Sequence, residues 1–261
     1  MPPRSKGYVD ADYLDIVAKL MQPQKQRTYE LMQLRPGQRV LDLGCGPGID
    51  TMALGASVGP TGEVHGVDND AAMVAEANRR AASAGVAARV LHRQADAGAL
   101  PWPDGFFDAS RSERVFQHLL DPEQAFSEMV RVTRPGGQLV VLDGDWATFT
   151  IASDEADLER RLVRFHAERM INNPYSGRRL TAMFKSRGLQ DVRVEAQPVI
   201  VTDYAVARRV SRLDQIEQEA RQAGVFDEGD SRRWRASLQR AAALDGFFCS
   251  VNGVTVSGRK Q

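Results

Sequence analysis

The residues of this chain best suited to chemistry are an acid and three glycines within residues 40–48, VLDLGCGPG. Gly44, Gly46 and Gly48 follow an apolar run, and a glycine backbone can approach a bound molecule closely because it has no side chain. A helix that begins after such a loop directs its free N–H groups at the ligand. Asp68 ends the next apolar run, about 20 residues further on, where a carboxylate can accept both hydroxyl groups of a ribose. The spacing therefore predicts a site for a nucleoside-containing ligand.

The positions of the glycines distinguish between two kinds of nucleotide site. The dinucleotide fingerprint requires glycine at its first, third and sixth positions, but counting from Gly44 the sixth position is Ile49. A nicotinamide-dependent oxidoreductase is therefore the less favoured alternative. What remains is Asp-x-Gly-x-Gly-x-Gly, which begins at Asp42. The glycines could instead form only a tight turn, and Asp68 could cap the following helix, a role that Asp70 could also fill.

This pattern resembles motifs I and II of the class I S-adenosylmethionine-dependent methyltransferases. The likeness continues through QADAGALPWPDGFFDAS, ERVFQHLLDPEQAFSEMVRVTRPGG and LVVLD. In detail the chain is similar to the small-molecule branch that includes the ubiquinone/menaquinone biosynthesis C-methyltransferases. The likeness is close over residues 35–145 and looser near 189–197 and 246–259. It implies S-adenosyl-L-methionine as the cofactor and methyl transfer to a small molecule as the reaction.

The resemblance also implies a set of cofactor-binding residues that follow the first four strands: Asp42, Gly44, Cys45, Gly46, Gly48, Asp68, Asn69, Met73, Asp96, Ala97, Ser110 and Ser112. The glycine loop would pass under the methionine and the ribose, and the acid at the end of the second strand would hold the ribose hydroxyls. Asn69 and Met73 would flank the adenine, and Asp96 with Ala97 would face its exocyclic amine. The two serines would line the methionine near the reactive sulfonium. Asp96 could also be an ordinary loop acid, and Cys45 is interpreted as a small buried residue rather than a nucleophile.

Methyl transfer from a sulfonium is an in-line displacement, so the protein mainly positions the acceptor and excludes water. A base is needed only when the acceptor arrives protonated or is a poor nucleophile. His118, in SERVFQHLLDP, is the candidate catalytic base because it follows the fourth predicted strand closely, although it could instead pack as a structural residue against the turn at Asp121. Four further residues are expected in the wall of the substrate pocket: Tyr13, Trp146, His166 and Tyr175.

The elements that must position these residues alternate between short apolar runs and longer amphipathic stretches, which is typical of a parallel sheet. The predicted strands are residues 39–43, 63–68, 88–94, 106–110 and 138–144. The predicted helices between them are residues 49–57, 70–84 and 122–132. The turn markers are PTG at 60–62, PDG at 103–105 and RPGG at 134–137. Five strands in this order predict a doubly wound α/β fold.

Beyond residue 145 the pattern changes to long charged stretches with helical spacing, 154–172 and 203–222, separated by a helix and a strand at 176–199. A final strand-like run occupies 246–260. We therefore predict an α/β, Rossmann-like, doubly wound seven-stranded sheet, mostly parallel with the last strand antiparallel, and with helical lid insertions. The predicted division of the chain is a helical cap (1–34), the cofactor-binding core (35–145), a lid insertion (146–175), a core helix and strand (176–202), a second lid insertion (203–244) and the last core strand (245–261).

The amino-acid composition limits the classes of partner expected for this protein. Lysine plus arginine and aspartate plus glutamate are balanced at 34 each, which disfavours nucleic acid as a partner. We expect a cytoplasmic protein without a membrane or metal partner, since no apolar run reaches spanning length and the two cysteines, Cys45 and Cys249, lack metal-ligand spacing. The segment NNPY at 172–175 is interpreted as a helix stop and a turn. The apolar lid positions predict a hydrophobic or aromatic acceptor, while a homodimer remains possible. A sensor that binds S-adenosylmethionine without turnover is the alternative function.

Overall fold

The computed structural model describes residues 11–261, and the first ten residues of the predicted N-terminal cap lie outside the described part. One sheet of seven strands runs through it in the order β3-β2-β1-β4-β5-β7-β6. Its strands are β1 (Arg39–Leu43), β2 (Glu63–Asp68), β3 (Val90–Gln94), β4 (Phe107–Glu113), β5 (Thr133–Ile151), β6 (Gln190–Val201) and β7 (Cys249–Arg259). The first five strands pair in parallel, whereas β7 lies antiparallel between β5 and β6. The predicted fold class is confirmed.

Helices precede, connect and flank these strands. In chain order they are α1 (Ala11–Leu20), α2 (Gln22–Met32), α3 (Ile49–Val58), α4 (Ala71–Ser83), α5 (Pro122–Val132), α6 (Ala156–Phe165), α7 (Ser176–Ser186), α8 (Tyr204–Val210), α9 (Leu213–Gln222) and α10 (Glu228–Ala243). A single 3₁₀ turn, Phe116–His118, follows β4, and a π-helical turn, His166–Met170, continues α6.

Local sequence accounts for where the central elements begin. The β1 residues Val40, Leu41 and Leu43 are fully buried, as expected for a central parallel strand that has helices on both faces. The carboxylate of Asp70 accepts a hydrogen bond from the backbone N–H of Ala72 and starts α4. Asp121 caps α5 in the same way, with Pro122 at the first helical position.

The structure differs from the predicted elements at several points, and β5 in particular covers Thr133–Ile151 rather than 138–144. β4 continues to Glu113 rather than ending at Ser110, because the polar residues that follow are buried against partners from other elements. The RPGG segment, predicted as a turn, lies within β5, where a register shift against β4 accommodates it. The charged stretch 203–222, which has helical spacing, forms two helices, α8 and α9, with Arg212 between them at a left-handed φ of 53°.

Among the apolar clusters of the protein, one belongs to the sheet core and another to the predicted lid. One cluster lies between the sheet and α5 and α7, around Phe107, Phe126 and Phe184. The second joins the C-terminal half of β5 to the helices α6, α9 and α10, through residues that include Leu162 and Trp234. The two predicted lid insertions therefore share one apolar core, and they are held together by burial rather than by sequence proximity.

Candidate functional site

The loop between β1 and α3 contains positions that only glycine can occupy. Gly44 has φ of 76°, and a Cβ there would collide with the side chain of Val115. Gly48 has φ of 82°, and its Cβ would lie 3.0 Å from that of Ala77. Backbone in this region is strained for any other residue, and at both glycines the loop is packed closely against neighbouring elements. Such a bare backbone cradle fits a nucleoside ligand.

Asp68 closes the second side of this cradle at the end of β2. Its Oδ2 accepts a hydrogen bond of 2.9 Å from Gly46 N–H, and its Oδ1 accepts one of 3.0 Å from Asp70 N–H. Burial raises the pKa of this carboxyl, while the two backbone donors lower it. Asp70, not Asp68, is the N-cap of α4. A carboxylate has about four acceptor positions, so the remaining lone pairs of Asp68 can still accept two hydroxyl groups.

The residues expected at the adenine lie at the ends of β2 and β3, on the same edge of the sheet as the loop. Asn69 is exposed, and its carbonyl accepts a hydrogen bond from Gln94. Met73 and Ala97 are half-buried. Asp96 is exposed and its carboxylate caps the backbone N–H of Gly98 at 2.8 Å, which is the ordinary loop role foreseen as its alternative. Contact of these residues with adenine stays a prediction.

Other members of the predicted set are buried beneath the loop rather than open to it. Ser110 Oγ lies 2.6 Å from Thr133 Oγ1, and Ser112 Oγ donates to the carbonyl of Leu43. Both serines lie inside β4, because that strand is longer than predicted. Cys45 is 5% exposed, and burial raises the pKa of its thiol well above the ordinary value. A thiol in this state is a poor nucleophile, in agreement with its interpretation as a packing residue.

Asp42 belongs to a buried cluster of charged side chains that the sequence analysis missed. It is 1% exposed, and Arg111 Nη1 donates to its Oδ1 at 3.1 Å. Burial raises the pKa of Asp42 to about 7, although Arg111 opposes that shift. The cluster, called the ionic cluster below, consists of Lys25 from α2, Asp42 from β1, Asp50 from α3, and Arg111 and Glu113 from β4.

The ionic cluster fastens α2 and α3 to the strands below the glycine loop. Lys25 Nζ lies 2.7 Å from both Asp50 Oδ2 and Glu113 Oε2. Arg111 pairs with Glu113 and donates through Nε to Thr28 at 2.8 Å. The attraction between these opposite charges offsets part of the desolvation free energy of burying them. The alternation of Arg and Glu with serine in SRSE was the signal available in the sequence, but it looks like an exposed loop until its partners are known.

His118 lies on the 3₁₀ turn after β4, and its side chain contacts that of Gln117. The sequence analysis did not identify Gln117 as a site residue. Gln117 Nε2 is 2.9 Å from His118 Nε2, and Trp146 Nε1 donates to Gln117 Oε1 at 2.7 Å. The structure thus joins two predicted residues, His118 and Trp146, through a third. The carbonyl of His118 accepts a hydrogen bond from Asn172, in the NNPY segment.

The four residues expected in the pocket wall do not form a single contact group. The rings of Trp146 and His166 lie edge to face at 5.0 Å, with Phe149 5.8 Å from both. Burial lowers the pKa of His166 to about 4, so the imidazole is neutral near pH 7. Tyr175 instead lies beside two arginines of α7, and Tyr13 OH donates to the carbonyl of Val210 on α8.

Two further features of residues 11–261 bear on partners. No helix among them is both long and apolar enough to cross a membrane. No group of three or more His, Cys, Asp or Glu side chains in that range could hold a metal ion. An open polar depression of about 720 Å³ lies between α9 and α10, and none of its lining residues belongs to the predicted site.

Comparisons with known proteins agree with this geometry. A family model described as a methyltransferase domain matches residues 41–141. An uncharacterized 37.1 kDa protein in transposon TN4556 of Streptomyces fradiae is 34% identical over 247 residues, covering 93% of this chain and 69% of that protein. The ubiquinone/menaquinone biosynthesis C-methyltransferase UbiE of Ectopseudomonas mendocina is 41% identical over 119 residues. That match covers 46% of each protein, so the chain spans just under half the length of this relative.

Solved structures show the same fold at low identity. The YcgJ protein of Bacillus subtilis superposes with a TM-score of 0.65 at 19% identity, covering 92% of this chain and 99% of its own. The geranyl diphosphate C-methyltransferase of Streptomyces coelicolor, solved with Mg²⁺, geranyl diphosphate and S-adenosyl-L-homocysteine, has a TM-score of 0.59 at 16% identity. It covers 98% of this chain and 86% of its own.

Proposed function

Because the chain belongs to the class I S-adenosylmethionine-dependent methyltransferases, we propose that it methylates a medium-sized hydrophobic or aromatic small molecule by in-line displacement. S-adenosylmethionine supplies an electrophilic methyl group when bound. The chain's own residues bind that cofactor, orient the acceptor and keep water out of the site.

The cradle formed by the glycine loop and Asp68 carries the proposal. Gly44 and Gly48 carry no side chains, and their loop lies beside the carboxylate of Asp68. This carboxylate can still accept further hydrogen bonds. This arrangement suits the methionine and ribose parts of the cofactor, with Asp68 accepting the ribose hydroxyls. Asn69, Met73, Asp96 and Ala97 follow on the adenine side. The ionic cluster supports the loop from below.

The apolar surroundings of Trp146 support the acceptor class. Trp146, Phe149 and His166 form an aromatic group next to the lid core, and His166 is neutral there because of its burial. Aromatic and apolar walls favour an acceptor with a large non-polar surface. The streptomycete neighbour is named for methylation of geranyl diphosphate, and the UbiE relative for ubiquinone and menaquinone biosynthesis, and both names agree with such an acceptor.

Calorimetric titration with S-adenosylhomocysteine, with NADH as the control ligand, tests the cofactor. We expect saturable binding of S-adenosylhomocysteine alone, whereas binding of NADH alone would reopen the oxidoreductase alternative. Incubation with S-adenosylmethionine and a panel of isoprenoid, quinol and phenolic acceptors, followed by mass spectrometry, tests the transfer. Methylation only of small polar amines or peptides would overturn the acceptor class. Cofactor binding with no product from any acceptor or cell extract would favour the sensor alternative.

A further inference from the structure

Gln117 connects Trp146 to His118 by hydrogen bonds that are shielded from water. The indole Nε1 of Trp146 donates to Gln117 Oε1 at 2.7 Å, and Gln117 Nε2 lies 2.9 Å from His118 Nε2. Gln117 is only 3% exposed. These three side chains, called the relay below, form one continuous chain of bonds between the C-terminal half of β5 and the turn after β4.

The direction of each bond in the relay follows from what each group can donate or accept. An indole N–H can only donate, so the amide oxygen of Gln117 must face Trp146. The amide nitrogen then faces His118, and because an NH₂ group only donates, His118 Nε2 must accept. A neutral imidazole that accepts at Nε2 carries its proton at Nδ1.

A second contact supports this orientation of the amide. Gln117 Nε2 also lies 3.4 Å from the carbonyl oxygen of Arg114, an atom that can only accept. A flipped amide would place two oxygen acceptors against each other there, and it would leave the Trp146 N–H facing another donor. Two independent partners, one at each end of the amide, therefore agree on the same assignment.

The backbone that carries the relay is clamped by the NNPY segment. Asn173 Nδ2 donates to the carbonyls of Phe116 and Leu119, at 2.9 and 2.6 Å, and Asn173 N–H donates to the carbonyl of Gln117 at 2.9 Å. Asn172 Nδ2 donates to the carbonyl of His118 at 2.8 Å. The two asparagines thus fix the 3₁₀ turn at both ends, which gives this otherwise unexplained motif a role.

The opposite side of the relay admits no side chain. A Cβ at Gly144 would lie 2.9 Å from Trp146 Nε1 and 3.0 Å from Gln117 Oε1. Asp143, the preceding residue, accepts a hydrogen bond of 3.0 Å from the backbone N–H of Gln117. The packing therefore keeps Trp146 Nε1 and Gln117 Oε1 aligned for their hydrogen bond.

We propose that the relay holds His118 as the Nδ1–H tautomer, so that His118 is a hydrogen-bond donor rather than the general base of the methyl transfer. A neutral imidazole has a single basic lone pair, and here Gln117 engages it at Nε2. Gln117 and Trp146 are then positioning residues that act through His118. The role in methyl transfer rests on the proposed function, and it favours acceptors that ionise without help from His118, such as acidic phenols or enolisable dicarbonyl compounds.

Nuclear magnetic resonance of the chain labelled with ¹⁵N-histidine tests the tautomer directly. The chain has four histidines, so loss of one set of signals in the His118→Asn variant assigns His118. Long-range ¹H–¹⁵N correlations are recorded at about pH 8, above the ordinary pKa of histidine. We expect a protonated Nδ1 and an unprotonated Nε2 at His118. A proton on Nε2 would overturn the inference.

Gln117→Glu tests whether the relay sets the tautomer. A carboxylate only accepts, so His118 Nε2 must then carry a proton and its ¹⁵N signal must move to the protonated range. Gln222→Glu, on the exposed face of α9, introduces the same charge and should leave His118 unchanged. His166 provides a reference in the same spectrum. An unchanged Nε2 in folded Gln117→Glu would overturn the relay.

Trp146→Phe provides a second route if Gln117→Glu does not fold. The variant keeps an aromatic ring but removes the donor that orients the amide, so we expect His118 to become a mixture of the two tautomers. An unmixed Nδ1–H tautomer would remove Trp146 from the relay. None of these spectra requires a cofactor or an acceptor. A protein that transfers methyl groups but carries the proton on Nε2 would overturn this inference alone, whereas failure to bind S-adenosylhomocysteine would overturn the proposed function alone.

Discussion

The proposed cofactor end and the proposed acceptor end of this site are built by different means. At the proposed cofactor end, the contacts involve backbone of the glycine loop, as when Gly44 N–H donates to the carbonyl of Val67 and Gly46 N–H donates to the carboxylate of Asp68. At the acceptor end, side chains from separate segments meet, as when Trp146 bonds to Gln117. A backbone site can be recognised from a short motif, whereas a side-chain network depends on how distant segments pack.

The ionic cluster qualifies this contrast, because it places long-range side-chain pairs beneath the backbone site. Lys25 from α2 reaches Asp50 from α3 and Glu113 from β4, and all three are buried. The loop can be recognised from its glycines, but its support cannot. The predictions below separate the loop from its support and from the lid.

Arg111→Ala should have the largest effect, on stability. Arg111 is 1% exposed and pairs with acids from three elements. Its loss removes the ion-pair partner of the buried Asp42 and leaves Lys25 as the only buried cation beside Asp50 and Glu113. We expect the free energy of unfolding to fall by about 3–5 kcal/mol in a denaturant titration. Arg79→Ala, which removes an exposed and solvent-screened ion pair with Glu76, should lower stability far less. Equal losses in the two variants would show that the ionic cluster does not support the cofactor end.

Asp143→Asn should change how stability depends on pH. Burial raises the pKa of Asp143 to about 7, so between about pH 4 and 7 the folded state holds a proton that the unfolded chain releases. The free energy of unfolding of the wild type therefore falls as the pH rises through this window, and the asparagine variant lacks this contribution. The stability of the variant relative to wild type should rise by on the order of 3 kcal/mol across it. A relative stability that does not change between urea titrations at different pH values would mean that Asp143 ionises normally.

Asp68→Ala should weaken the cofactor end without unfolding it. Loss of hydrogen bonds to a charged acceptor costs about 1.5–3 kcal/mol, which corresponds to at least about a tenfold loss of affinity. Titration calorimetry with S-adenosylhomocysteine measures it. Asp104→Ala, an exposed acid outside the site, serves as the matched control and should bind as the wild type does. Wild-type affinity in Asp68→Ala would remove Asp68 from the ribose site.

Tyr13→Phe should have the smallest effect. Its hydroxyl donates to the carbonyl of Val210 and ties α1 to α8, a bond worth about 0.5–1.5 kcal/mol. We expect a loss of stability of that size with unchanged affinity for S-adenosylhomocysteine. If turnover fell while stability stayed constant, Tyr13 would belong to the acceptor wall, as the sequence suggested.

Comparison of the sequence predictions with the structure shows where pattern reasoning fails. All seven strands were located, and the ends of β1 and β2 were predicted to the residue, since apolar runs bounded by glycine or acid are local signals. The end of β4 was missed because Arg111 and Glu113 look solvent-exposed until the partners that bury them are known. The break at Arg212 was missed because its left-handed backbone has no signal in a charged helical stretch.

The sequence by itself determined the class of fold and the cofactor, S-adenosylmethionine. Gly44, Gly48 and Asp68 act through backbone conformation and strand position, which neighbouring residues specify. Only the tertiary structure decided that Asp42 is paired beneath the loop, that Gln117 joins His118 to Trp146, and that Asn173 clamps the turn between them. These contacts join residues far apart in the chain through directional hydrogen bonds, whose partners become defined only when the segments pack.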